Sequence, residues 1–511
     1  MVKTNQLKGG AILSYLQMGL SIIIGLVYTP LMIRLLGQNE YGLYNTVSST
    51  ISMLSVLNLG FNSGYIKYYA QYRKEENKQA IEKLNGLFLI IFSVIGFIAL
   101  LCGLYLTFNL NFVFDEGLTA VEYEKARFLM LLLTINLASS FPMTVFGCII
   151  SAHERFVFLK TLLMIKTVLS PLVTLPLLLM GFRSIAMVVV TVSLALITDC
   201  IYIFYVLKVM KQRFVFHDFE KSIFKSLFGY TFFIALNIIV DQINWNIDKM
   251  LLARFKGTAM VAVYSVGYAI YSYYQTFSTS ISGVFTPRIH KIINNSSDQS
   301  SLKNELTALF TRVGRIQFIV LALLMTGVIF FGKPFITIFW AGEEYIDSYY
   351  VALLLMLPAT VTLCQNTGIE IQRALNKHRF RSVLYFLTAL LNLIFSIYLC
   401  QLFGAVGAAF GTFASYFISS ITIMNIYYHK QCNLDIIFFW KKIISLSKGL
   451  IIPITFGIVY CVLFDIDNIF VFFCGIILYA LIYAVSIWFF GMNKYEKKLF
   501  SGIIKKVLPK H

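Results

Sequence analysis

The feature that most constrains this chain is a succession of apolar blocks about as long as a bilayer is thick. Residues 86–108 and 379–402 are two of them. Each is close to the ~20 residues with which an α-helix crosses the hydrocarbon core. Composition argues against a water-soluble globule. Only 13% of residues are charged, where a soluble domain carries about 25%. Hydrophobic residues make up 58% of the chain and the mean hydropathy is +0.77. The 47 Phe and 30 Tyr suit helices that meet lipid and its interface. The expected fold class is an all-α polytopic membrane protein.

Charged and Gly/Pro-containing breaks divide the chain into fourteen expected helices. Their spans are about 11–36, 42–66, 86–108, 127–152, 156–180, 184–208, 228–253, 259–286, 306–331, 347–374, 380–402, 404–428, 446–464 and 468–491. The loops test the count. With the N-terminus in the cytoplasm, 33 of the 42 Lys and Arg fall at cytoplasmic ends, from Lys3 and Lys8 through Arg288, Arg312 and Arg315 to Lys510. Arg34, Lys125, Arg127, Arg183, Arg254, Lys256 and Lys333 fall outside, and the remaining two, Lys166 and Lys249, lie within expected helices. The outer loops are acidic instead, with Asp115, Glu116, Glu122, Glu124, Glu343, Glu344, Asp347, Asp465 and Asp467. An error of one helix would scramble this alternation, so an even count with both termini cytoplasmic is expected. The net charge of +18 is then the positive-inside bias and not a nucleic-acid footprint. The first apolar run continues to Leu36, which predicts a retained first helix and not a cleaved signal.

An internal repeat organises the chain. Residues 34–45 read RLLGQNEYGLYN and residues 254–265 read RFKGTAMVAVYS, so Arg34, Gly37 and Tyr44 match Arg254, Gly257 and Tyr264 at an offset of 220. Each copy joins two consecutive helices, and six helices separate the copies. Parallel repeats about an axis along the membrane normal are expected. The expected domains are an N-terminal six-helix bundle (1–208), a linker (209–227), a C-terminal six-helix bundle (228–428), and helices thirteen and fourteen with a basic tail (429–511). The linker mixes Phe214, Phe216, Phe219, Phe224 and Leu227 with Lys and Arg, which predicts a helix on the cytoplasmic interface.

Familiar chemistry is missing. There is no Walker A motif and no DxD in the longest outer loop (109–126), and the six His are scattered without metal-ligand spacing. The eight Cys form no CxxC pair and read as small core hydrophobes. No cofactor, metal or catalytic residue is expected, which disfavours an enzyme.

What remains is polarity inside helices. Asn237, Asp241, Asn244 and Asp248 share one face of the expected seventh helix, followed by Lys249. A charge there costs about 2.5–3.5 kcal/mol on translocon scales. Such a stripe is either an interhelical hydrogen-bond seam or a solute or ion pathway. Tyr264, Tyr268, Tyr271, Gln275, Ser278 and Ser282 form a polar face on the eighth, and Asn45, Ser48, Ser52, Ser55 and Asn62 one on the second. These faces suit sugar contacts in a cavity between bundles, or packing. Lys166, Asp199 and Glu370 are further charges within helices. Pro30, Pro142, Pro171, Pro176 and Pro358 permit bends. Arg34 and Arg254 either snorkel or clamp a phosphate.

The stretches TPLMIRLLGQNEYGLYN (29–45), LSVLNLGFNSGYIKYYAQY (54–72) and FGAVGAAFGT (403–412) resemble the Wzx-type polysaccharide flippases. These belong to the multidrug/oligosaccharidyl-lipid/polysaccharide exporter superfamily. The resemblance implies flipping of an undecaprenyl-diphosphate-linked oligosaccharide from the inner to the outer leaflet of a bacterial cytoplasmic membrane by alternating access. It implies membrane lipid as surroundings, a coupling ion (H+ or Na+), a monomer, and association with a polysaccharide polymerase. Arg34, Lys67, Lys249 and Arg254 become candidate diphosphate or acidic-sugar contacts, with Tyr264, Tyr268, Tyr271 and Gln275 beside them. Asp241, Asp248 and Glu370 become candidate ion-coupling or salt-bridge partners. The alternatives are a lipid II flippase, a cation-coupled drug antiporter, for which twelve helices are typical, and a glycan polymerase.

Overall fold

Hydrocarbon offers no hydrogen bonds to a backbone, so a chain this apolar has to close its own, and it does so as helices. A computed structural model describes residues 2–114, 118–219, 221–295, 298–375 and 377–507. Asp115, Glu116 and Lys510 lie outside the described residues. Every regular element among the described residues is helical. In chain order these are α1 (Val2–Leu36), α2 (Gln38–Met53), α3 (Phe61–Lys74), α4 (Lys78–Phe108), α5 (Ala120–Ala152), α6 (Phe156–Leu179) and α7 (Arg183–Phe204). Then come α8 (Lys221–Gln242), α9 (Asp248–Lys256), α10 (Thr258–Gly283), α11 (Thr286–Asn295), α12 (Gln299–Pro334), α13 (Asp347–Cys364) and α14 (Thr367–Ala374). The last are α15 (His378–Tyr416), α16 (Met424–Lys430), α17 (Ile436–Ile444), α18 (Ile451–Leu463), α19 (Ile469–Ser486) and α20 (Lys494–Val507).

Among the described residues ten helical stretches are long and apolar enough to span a membrane. One of them, Arg379–Lys430, contains a kink at Gly404 (φ 57°, ψ −133°), where two expected spans meet. The expected spans that fall short are the second, seventh and eighth, the three with polar faces. The count of fourteen is consistent with this pattern.

The second span is not the continuous helix expected over 42–66. α2 gives way to a 3-10 turn at Leu54–Asn58, and Leu59 and Gly60 have φ of 48° and 74° before α3 starts. Gly60 serves two ends. It adopts a backbone that other residues resist, and a Cβ there would lie 2.4 Å from the Ile234 side chain. The local backbone is satisfied by short bonds, Leu59 N to Val56 O at 3.0 Å and Ser63 N to Gly60 O at 3.0 Å.

The chain divides into two units, Met1–Ser265 with Tyr385–Ala408, and Val266–Leu384 with Ala409–His511. This division differs from boundaries at 208 and 228, because α8 and α9 pack on α3 and α2 in the first unit. Gly64 lets Leu227 of α8 approach α3. The linker also differs from expectation. Residues 211–219 are irregular and not helical. Val215 N donates to Glu82 O at 3.0 Å, and buried Asn85 donates to Arg213 O at 3.1 Å while accepting from the Tyr65 hydroxyl at 2.7 Å. Gly86 leaves room for the Val215 carbonyl. Phe214 and Phe216 are two apart, a spacing that suits an extended chain, and Phe214 packs on Phe146 at 5.6 Å. At the exposed linker turn, a hydrogen bond from His217, its charge and nearby Lys83 hold the Asp218 carboxyl below its usual range.

In the second unit α12 is the organising helix, in contact with α13, α17, α18 and α19. Phe331, Tyr460, Phe472 and Tyr479 form an aromatic cluster between α12 and the α18–α19 hairpin. Arg315, expected among the loop cations, is instead 5% exposed in α12. Its Nε and Nη2 donate to both oxygens of fully buried Glu496 at 2.6 and 2.9 Å. Its other bonds go to Lys442 O, Ser445 Oγ and Gly491 O. One guanidinium thus ties α12 to both ends of the hairpin. Breaking a buried pair by removing one partner costs about 3–5 kcal/mol. Arg315→Ala is therefore expected to lower the melting temperature of the purified protein in detergent strongly. The Arg315→Ala/Glu496→Ala pair should lose clearly less than the sum of the single changes in a double-mutant cycle.

Candidate functional site

The repeated junction is built the same way twice. Gly37 has φ 78° and ψ 167°, and Gly257 has φ 83° and ψ 176°. Both lie in a region of backbone space essentially reserved for glycine. Each turns the chain directly from one helix into the next, α1 into α2 and α9 into α10. Within the first unit the two junctions meet. A Cβ on Gly42 would sit 1.8 Å from the Thr258 carbonyl oxygen, so α2 and the start of α10 touch backbone to backbone. Arg34 and Arg254 each stand three residues before these glycines, at the same end of the unit and exposed. Arg254 Nη1 reaches the Phe112 carbonyl at 3.4 Å.

The polar stripe of the seventh span crosses a π-helical turn at Ile243–Ile247. A π turn inserts one residue, which rotates the following helix by roughly 100° against a regular 3.6-residue pattern. The stripe is split accordingly. Asn237 and Asp241 are exposed, Asn244 is half-buried and Asp248 is fully buried. Tyr264 donates its hydroxyl to Asp248 Oδ2 at 2.8 Å, across the Gly257 turn. On α15, buried Asn392 donates to Asn244 Oδ1 at 3.4 Å and accepts from Ser396 at 3.3 Å. Lys249 is half-buried beside this network. Asn392 and Ser396 were not among the expected site residues, although two polar residues inside the apolar block 380–402 were a usable signal.

The polar face of the eighth span divides as well. Tyr264 serves Asp248. In the second unit, Ser278 donates to Leu363 O at 3.1 Å and accepts from Gln317 at 3.0 Å, and Ser282 accepts from Asn366 at 2.6 Å. Tyr274 and Thr360 share a 2.6 Å bond, and Tyr271 is buried with its ring 5.9 Å from that of Tyr268. These are seams to α12, α13 and the α13–α14 turn. Tyr268 and Gln275 are half-buried.

The remaining candidates are spread out. Lys67 is exposed on α3 with its Nζ 5.6 Å from the Tyr68 ring centre, beyond the Leu54–Gly60 break that separates α3 from α2 and its junction. Glu370 is not at mid-span. It sits on short α14 and accepts from exposed Arg373 at 2.6 Å. Lys166 and Asp199 are half-buried on neighbouring α6 and α7. Glu40, which sequence reasoning passed over, collects Lys125, Ser184 and, at 3.9 Å, Arg183. It occupies the first turn of α2, where a helix favours an anion, and fastens α2 to α5 and α7. Among the described residues no His/Cys/Asp/Glu group has the arrangement of a metal site.

Residues 7–293, more than half of the chain, match the family described as "Polysaccharide biosynthesis protein". The chain belongs to that family. As a polysaccharide biosynthesis family member it also has the fold of known transporters. A structure of the lipid II flippase MurJ, in an inward closed conformation, superposes with a TM-score of 0.69 at 15% identity, over 94% of this chain and 98% of that one. An inward-facing multidrug resistance MATE transporter gives 0.61 at 13% identity, over 84% and 99%. The uncharacterized membrane protein MJ1068 of Methanocaldococcus jannaschii is 25% identical over 301 residues, or 56% of this chain. The chain spans about half, 55%, of that curated relative's length. The family member is thus a multi-pass membrane protein with the fold of known flippases and transporters.

The twin junctions make a specific prediction. Nothing lies within 4 Å of a Cβ on Gly37 or Gly257, so substitution there is penalised by backbone strain alone. Gly37→Ala and Gly257→Ala should each cost about 1–3 kcal/mol, and by similar amounts. Gly229→Ala, in open space on α8, should be neutral or stabilising. Thermal unfolding of the three variants in detergent checks the contrast.

Proposed function

We propose that this protein moves undecaprenyl-diphosphate-linked oligosaccharide repeat units from the inner to the outer leaflet of a bacterial cytoplasmic membrane. It does so by alternating access, for surface polysaccharide synthesis, with both termini in the cytoplasm. The observation that carries this is the family match over residues 7–293, which covers both glycine junctions and the Asp248–Tyr264 pair. In this reading Arg34, Arg254 and Lys249 engage the diphosphate or acidic sugars at one end of the path, and Lys67 does so at the other. Half-buried Tyr268 and Gln275 offer ring and amide contacts to sugar. Asp248 is the coupling carboxyl for H+ or Na+, with Asp241 on the open part of the same span. Glu370, held by Arg373, is a salt-bridge partner.

A second reading is lipid II as cargo. The MurJ likeness favours it, since that fold matches 94% of this chain against 84% for the MATE structure. The same coverage disfavours drug antiport. The protein acts as a monomer in association with the polysaccharide polymerase, without cofactor.

Deletion of the protein should leave labelled lipid-linked repeat units in the inner leaflet, and their normal arrival in the outer leaflet would sink the proposal. Selective loss of outward lipid II would select the second reading, and ethidium efflux by the purified protein in vesicles would select antiport. Asp248→Ala should lower transport by roughly 10- to 100-fold, the equivalent of one charge-assisted hydrogen bond, at near-normal protein abundance. Loss of abundance would instead assign Asp248 to packing.

A further inference from the structure

The second unit holds a cavity of about 640 Å³ that the proposed transport path does not use. α12 lines it with Thr311 and Arg312, α17 with Phe438 and Lys442, and the start of α20 with Lys494 and Tyr495. No Asp or Glu is among its lining residues. Glu496 is fully buried and bonded to Arg315 and Asn493. Arg315 spends its donors on Glu496, Lys442 O, Ser445 and Gly491 O, so it is structural here.

The other three cations are differently placed. The Arg312 guanidinium lies over the Tyr495 ring, 4.2 Å from its centre, and Lys442 Nζ lies 5.3 Å from the centre of the Phe438 ring. Among the described residues none of Arg312, Lys442 and Lys494 makes a salt bridge. A ring under an arginine occupies the face of the guanidinium and leaves its N–H edge able to bind phosphate. Three elements thus each bring one cation to a common concavity.

The surroundings indicate where the phosphate comes from. α17 is amphipathic. Ile436, Phe439 and Ile443 are buried, whereas Ile437 is 73% exposed and Ile444 64% exposed. A helix end that holds out isoleucines beside Lys441 and Lys442 suits the boundary between headgroups and acyl chains. The adjoining α18 presents Ile451 and Ile452, and the π turn that follows α19 (Ile487–Gly491) presents Phe489 and Phe490. Acyl chains would find apolar surface next to the cationic hollow, which a soluble phosphate compound would not use.

We propose that the hollow formed by Arg312, Lys442 and Lys494 binds the phosphate headgroup of an anionic phospholipid and so clamps the C-terminal hairpin to α12. This site is separate from the transport residues, and its occupancy does not require the proposed cargo to be correct. The test uses the purified, delipidated full-length chain. Phosphatidylglycerol, phosphatidylethanolamine and inorganic phosphate are titrated separately, with native mass spectrometry and melting temperature as readouts. Phosphatidylglycerol should bind and raise the melting temperature by mass action, while phosphatidylethanolamine should do so weakly. The Arg312→Ala/Lys442→Ala/Lys494→Ala variant should bind phosphatidylglycerol roughly 100-fold more weakly and melt like the parent without lipid.

Equal binding of phosphatidylglycerol by parent and variant overturns the proposal. So does protection by inorganic phosphate that matches the lipid, which would make the hollow a site for a soluble anion. Should the triple variant fail to purify, Lys494→Glu, an exposed single reversal, decides in its place. Retained lipid binding there overturns the proposal, and loss of binding supports it.

Discussion

A backbone in hydrocarbon has no solvent to fall back on, and everything else in this structure follows from that. Straight apolar helices meet the requirement without help, and α4, α18 and α19 are of this kind. Breaks are another matter, because each frees donors and acceptors that need partners. Apolar spans carry some of these, as at the Gly404 kink and the π turns at Tyr205–Val209, Phe335–Trp340, Phe417–Ile423 and Ile487–Gly491. The Leu54–Gly60 turn and the π turn at Ile243–Ile247 instead interrupt spans too polar to pass as ordinary lipid-facing helices. In those two spans irregular backbone and polar side chains occur together, as expected where a span is shielded by protein or lines an aqueous path.

Close approach is the second theme, and glycine supplies it. Without a side chain at Gly42 the backbone of α2 reaches the Thr258 carbonyl, and without one at Gly86 the linker lies on α4. Helices in a membrane gain no hydrophobic driving force from meeting each other, so contact depends on small residues and hydrogen bonds. This explains why the repeat is visible in Arg-x-x-Gly at both junctions and fades elsewhere. The glycine conformation tolerates no substitute, whereas the following helix faces accept many residues.

Much of the fold was legible for the same reason. The apolar blocks are dictated by membrane thickness, and the glycine match carries a backbone angle that the structure reproduces to within about ten degrees at both sites. Legibility failed where one residue changed the register or where burial contradicted charge. The stripe from Asn237 to Asp248 presumes 3.6 residues per turn throughout, and the π turn breaks that premise. A helical face is what the mix of linker aromatics and cations predicts, although Phe214 and Phe216 suit an extended chain pinned by Asn85. Arg315 falls among the loop cations by position alone, and position does not register that Glu496, 181 residues away, neutralises it.

Two buried charges show how structural and functional roles diverge. Arg315 has a bidentate carboxylate and three further acceptors, an arrangement that works in one protonation state of Glu496 only. Removing that charge would strand a guanidinium, so the group is suited to holding elements still. Asp248 receives a phenol hydroxyl from Tyr264. A hydroxyl donates to a carboxylate and accepts from a carboxylic acid, so this contact persists through gain or loss of a proton. Tyr264 stands just beyond the Gly257 junction, and Asp248 just beyond the π turn. A change in the carboxyl's charge would therefore be felt at two irregular points of the same pair of spans. That is why the coupling proposal rests on Asp248 in preference to Glu370, whose charge Arg373 already balances at a helix end.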